Sequence, residues 1–255
     1  MLTKRVDNSQ LFLYNSFYKG TIVEGLPMKL ELKDGMTRAL TDNELKVAQE
    51  NFLCTSKKLT SITLGDCKET KKGFLVFARG VRKVNLPVVE KIGDNFMAGC
   101  KALTTISLPK VASIGSGFNA YSSHMVELFL PEVIEIGDDF LVSNSELKIL
   151  HLPKVKKVGD EMFGGIDTML TETGLEKVFM PELVEIGNRA LRYEWNLTEV
   201  FLPKLEKVKT DFLGGCRNLE KVDLSSLMTA GFGFMTGAPR LSRLGINNPL
   251  FVRKV

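Results

Sequence analysis

The chain has 255 residues, 44% of them hydrophobic and 25% charged, with a formal net charge of +4. This is the balance of an ordinary soluble globular protein. Lys and Arg are interleaved with Asp and Glu, so no basic block points to nucleic acid and no acidic tail to a solvating arm. No apolar run approaches the roughly 18 residues that span a bilayer.

In chain order, the first segment is Met1 to Gly20. Its apolar patch Leu11-Phe12-Leu13-Tyr14 is interrupted by Asn15 and Ser16, and no cleavage-site pattern follows. No Sec signal peptide is visible, so the sequence alone predicts a cytoplasmic chain or one exported by a non-Sec route. Residues 1–36 are expected to hold strands, with Asp34-Gly35 as a turn. Residues 37–58 look like a decayed repeat, with Leu40, Leu45, Ala48 and Phe52 in apolar columns. Thr41-Asp42-Asn43-Glu44 reads as a capping box that opens a helix. Residues 1–58 are therefore expected to form an N-terminal α/β cap.

From residue 59 the pattern L-x-x-V-x-L-P-x-V-x-x-I-G-x-x-F recurs. Copies begin at Leu59, Val81, Leu103, Met125, Leu147, Leu175, Leu197, Leu219 and Leu241. Every step is 22 residues except Leu147 to Leu175, which is 28, an insertion of six near residues 166–174. The proline column reads Pro87, Pro109, Pro131, Pro153, Pro181, Pro203, and the aromatic column Phe74, Phe96, Phe118, Phe140, Met162, Ala190, Phe212, Phe234. Two apolar residues flanking one polar residue have the period of a half-buried strand. Proline, lacking an N–H, stops that strand. The following I-G is read as a turn, with glycine supplying its conformation, and the Phe packs inward to close the coil.

One coil cannot bury its own apolar face, whereas stacked coils can. The expected fold is a mainly β repeat solenoid of nine 22-residue coils over residues 59–246, with one parallel sheet. At about 4.8 Å per strand the array is about 40 Å long. The tail, 247–255, shows no clear cap.

The coil L-x-x-V-x-L-P-x-V-x-x-I-G-x-x-F-x-x-x-C is complete in Val81 to Cys100 and nearly so in Leu197 to Cys216. It resembles the BspA-type (Treponema-type) leucine-rich repeat of bacterial proteins. The resemblance covers about residues 59–246. It implies a right-handed leucine-rich-repeat array, no catalytic activity, and a cell-surface or secreted protein that binds other proteins.

No cofactor, metal site or enzymatic activity is expected. The only histidines are His124 and His151, neither at a metal-ligand spacing. No nucleophile-elbow, zincin or nucleotide-loop motif occurs. Gly231-x-Gly233 is assigned to turn geometry, Asp138-Asp139 to solvated surface carboxylates. Asn196-Leu197-Thr198 is a formal glycosylation acceptor that also arises by chance. Cys54, Cys67, Cys100 and Cys216 form no CxxC pair and are read as free thiols packed as small apolar groups.

Strand alternation places one residue per coil on the outer surface: Thr63, Asn85, Ser107, Phe129, His151, Phe179, Phe201, Asp223, Gly245. Four consecutive coils carry rings there. The neighbouring outward column adds Glu127, Ile149, Lys177 and Glu199. These eight residues are the candidate partner-binding site, because exposed aromatic patches are seldom left unused. A stabilising ring ladder and a patch covered by the insertion are the competing readings. After the proline, Lys110, Glu132, Lys154, Glu182 and Lys204 alternate in sign and are assigned to register. The expected function is a protein–protein interaction module, adhesin-like or effector-like, with a protein partner and no nucleic acid. The alternative is an assembly unit that forms homo-oligomers through the aromatic face or the open C-terminal edge. A monomer or weak homodimer fits either.

Overall fold

The computed structural model describes residues 29–33, 37–42, 44–56, 58–122, 124–164, 174–240 and 243–245. The Leu11–Tyr14 patch, the Asp34-Gly35 turn, nearly all of the six-residue insertion and the tail lie outside the described residues.

The described chain is a β-solenoid, and its strands fall into two rows. In the front row, Lys29–Lys33 pairs antiparallel with Thr37–Asp42. That strand continues in parallel into Leu59–Leu64, Lys83–Asn85 and Thr105–Ser107. A second front sheet begins at Glu127–Phe129 and runs through Ile149–His151, Lys177–Phe179, Glu199–Phe201, Lys221–Asp223 and Arg243–Gly245. No strand pairing joins Thr105–Ser107 to Glu127–Phe129, so the front row is interrupted there. The back row is a single nine-stranded ladder of two-residue strands, from Val47–Ala48 to Thr229–Ala230.

The expectation of one parallel sheet is thus corrected: there are two rows, and the front one is split. The back row comes from the I-G segment, where a bend after proline releases the chain into a second short extended stretch. The role assigned to the glycines also changes. A Cβ on Gly137 would lie 2.7 Å from the Ser116 backbone nitrogen, and one on Gly159 would lie 2.7 Å from that of Asp138. Neither glycine has positive φ. Glycine is needed here for close approach between coils, a different use of the missing Cβ.

The α/β cap is corrected as well, since no helix occurs among the described residues. Asp42 Oδ1 does accept the backbone N–H groups of Glu44 (2.7 Å) and Leu45 (3.0 Å), as a helix cap would. The chain then enters Val47–Ala48, which pairs with Glu69–Thr70 instead of turning into a helix.

Beyond each I-G the chain makes an arc in which alternate residues adopt positive φ. In one arc these are Asn95 (55°), Met97 (58°) and Gly99 (73°). Met97 N–H donates back to Phe74 O, while Asn95 and Gly99 donate forward to Ser116 O and Ala120 O. The left-handed region costs a non-glycine residue about 1 kcal/mol. Here that cost is offset by hydrogen bonds to both neighbouring coils.

Between the Asn95 and Met97 positions the Phe points inward. The rings of Phe52, Phe74, Phe96, Phe118 and Phe140 stack through the core at 5.8, 5.0, 5.4 and 5.3 Å. Met162 and Ala190, both fully buried, interrupt the ladder before Phe212 stacks on Phe234 at 6.3 Å. Phe52 belongs to the decayed repeat, so its column is real.

Candidate binding face

The front strands set the outward column. Phe129 pairs in register with His151, His151 with Phe179, and Phe179 with Phe201. Ile149 pairs with both Glu127 and Lys177, so register passes through the coil that carries the insertion. The eight candidate residues are therefore brought together on four adjacent strands.

The rings contact one another. Phe129 meets His151 edge-on at 6.4 Å, His151 is tilted against Phe179 at 5.9 Å, and Phe179 stacks on Phe201 at 5.0 Å. They also face solvent: Phe129 is 57% and Phe179 39% exposed, with His151 and Phe201 half-buried. Stacking covers ring faces and leaves edges open. Phe129 is the most exposed because it borders the interrupted part of the front row. Lys177 and Glu199 form an ion pair at 3.4 Å beside the stripe, and Lys148 and Glu176 another at 3.1 Å.

Other charged columns hold coils together. Lys154 pairs with Glu132 and Lys204 with Glu182, each at 2.7 Å, on neighbouring coils. After the I-G, each side chain accepts a backbone N–H from the next coil. Asp94 takes that of Ser116, Ser116 that of Asp138, Asp138 that of Asp160, and Asp160 that of Asn188. Asp160 is held below the ordinary carboxyl range, first by the Asn188 side-chain amide. Asp139 is pushed up by partial burial and then by Asp138. Asp138 is exposed, as expected, yet serves as a rung of this ladder, which the sequence did not reveal.

The cysteines are free, three of them buried and Cys54 half-buried. Burial pushes the Cys100 thiol up to about 12, and its Sγ donates to Leu75 O. Among the described residues no group of three or more His, Cys, Asp or Glu is placed to hold a metal ion. No helix among them is long and apolar enough to cross a membrane.

The family profile described as a BspA type leucine-rich repeat region matches residues 46–170 and 166–231, in six copies. The chain belongs to the BspA-type leucine-rich repeat family. This repeat family suggests a protein-interaction role and is typically non-catalytic. A leucine-rich cell surface protein from Faecalibacterium prausnitzii A2-165 is similar over 85% of this chain and 74% of its own, at 18% identity and a TM-score of 0.56. A leucine-rich repeat protein of T. pallidum is 21% identical over 88% of this chain and 91% of its own, with a TM-score of 0.41. At these identities the likeness concerns the fold. No curated protein matches the sequence significantly.

Proposed function

We propose that this BspA-type chain binds a partner protein through the front strand face, as an adhesin-like or effector-like module. Phe129, His151, Phe179 and Phe201 form the contact centre, with Ile149 beside them and Glu127, Lys177 and Glu199 as a polar rim. One observation carries this reading: four in-register rings on consecutive coils that remain partly open to solvent although they stack. Aromatic anchors inside a polar rim are the usual anatomy of an interface centre. We infer a surface or secreted setting from the description of the F. prausnitzii protein as a cell surface protein.

The test is capture from host and self lysates and matrix fractions by wild type and by a Phe129→Ala/Phe179→Ala/Phe201→Ala variant of verified fold. A partner retained only by wild type supports the face. Equal capture by both would reduce the stripe to a packing ladder.

Self-association is a second reading, favoured by Phe232 at 85% and Met228 at 56% exposure on one coil. Light scattering at high concentration tests it. A mass that stays monomeric would rule it out.

A further inference from the structure

A groove of about 710 Å³ lies on a different part of the array from the aromatic stripe. It is lined by Trp195, Asn196, Arg217, Asn218, Pro239 and Arg240, among others. These residues come from three successive coils, each contributing the link that leads into a front strand. The repeat therefore stacks two arginines, two asparagines and an indole along one wall.

The chemistry of that wall is one-sided. Among the described residues no carboxylate lines it. Arg189 and Arg192 are paired with Glu161 and Asp211, but Arg217 and Arg240 enter no ion pair among the described residues. Both are exposed. The Arg217 guanidinium sits 5.0 Å from the Trp195 ring centroid. A contact of this kind restrains the guanidinium, so less freedom is lost when its fork meets a carboxylate. The Asn218 amide supplies a neutral donor and acceptor suited to a peptide backbone. The groove is open to solvent, and its volume is sufficient to seat a short ligand segment.

We propose that this groove binds an acidic peptide segment, with Arg217 and Arg240 each receiving a carboxylate. The choice of a peptide over another carboxylate rests on the protein-interaction reading; the groove itself is independent of the aromatic face.

Trp195 is the only tryptophan in the chain, so its emission reports on the groove directly. The probes are hexaglutamate, hexaglutamine and hexalysine peptides, and sodium acetate at matched carboxylate concentration. The expected result is a saturable emission change with hexaglutamate alone, weakened by added salt. Arg217→Ala/Arg240→Ala, with an unchanged circular dichroism spectrum, should weaken binding at least about tenfold. Arg217→Lys, which keeps the charge but loses the fork, should weaken it less. Phe179→Ala should bind hexaglutamate like wild type, which separates this site from the front face. No response to hexaglutamate would overturn the proposal, as would an undiminished response in the double variant. An equal response to acetate would show a free-anion site and refute peptide recognition.

Discussion

Phe179 and Phe201 stack 5.0 Å apart and 7° from parallel, on strands that pair residue for residue. The stack gives each ring a stabilising neighbour and leaves its outer edge open. Replacing one ring should therefore have two effects of different size. Phe179→Ala should cost about 1–3 kcal/mol of stability, the aromatic pair together with the ring area that the stack covers. Partner capture should be lost altogether. Urea titration beside the capture assay checks both, and large destabilisation with intact capture contradicts the binding role.

The close approach of the coils makes a sharp contrast between glycines. Gly137→Ala would drive a Cβ to 2.7 Å from the Ser116 backbone nitrogen. That atom cannot yield without parting two coils, so a loss of about 1–3 kcal/mol is expected. At Gly214 the nearest atom to an added Cβ is Asp211 O at 3.3 Å. Gly214→Ala should be much milder. Denaturant midpoints of the two variants decide it, and equal midpoints would refute the steric account.

Asp160 couples stability to pH. Its folded carboxyl sits below its ordinary value of 3.8, mainly because the Asn188 amide bonds the charged form. The stabilisation is present above that ordinary value and disappears as pH falls through the lower folded value. Asp139, raised by burial, acts with the opposite sign and loses stability as pH rises through its folded value. Between about pH 6 and about pH 2, Asp160→Asn should flatten the fall in stability seen for wild type. Parallel curves would show that Asp160 contributes nothing to it.

The thiols should react in two classes. Cys100 is pushed up to about 12, and Cys67 and Cys216 are also raised by burial. Thiolate is the reacting species, so a disulfide reagent should label Cys54 slowly in the native protein and the other three only after denaturation. Rapid labelling of Cys100 in the folded chain would contradict the packing described.

The front strands were legible because apolar alternation and a proline stop recur in phase over many coils. That same phase places Phe129, His151, Phe179 and Phe201 in one column of the sequence. The back row was not legible, because a two-residue strand such as Glu135–Ile136 is too short to show a period. Its glycine looks the same in sequence whether it serves a turn or a close contact. The arc was also hidden: nothing in Leu191 or Phe163 announces positive φ, which neighbouring coils impose. At Thr41–Glu44 the local capping signal was correct, but the pairing of Val47–Ala48 with Glu69–Thr70 outweighed it. The groove beside Trp195 escaped because its residues are neighbours only after three coils are stacked.

The interruption between Ser107 and Glu127 has a mechanical consequence. The back ladder runs unbroken past it through Ser113–Ile114 and Glu135–Ile136. The array is thus a beam with one flange cut and the other whole. Tension along its length is expected to open the front there first, with the back ladder and the arc bonds of Leu141 to Phe118 and Tyr121 to Val142 serving as the hinge. Phe129 stands on the lip of that hinge, so a load borne by the molecule would be felt at the rim of the aromatic face before any coil unwinds.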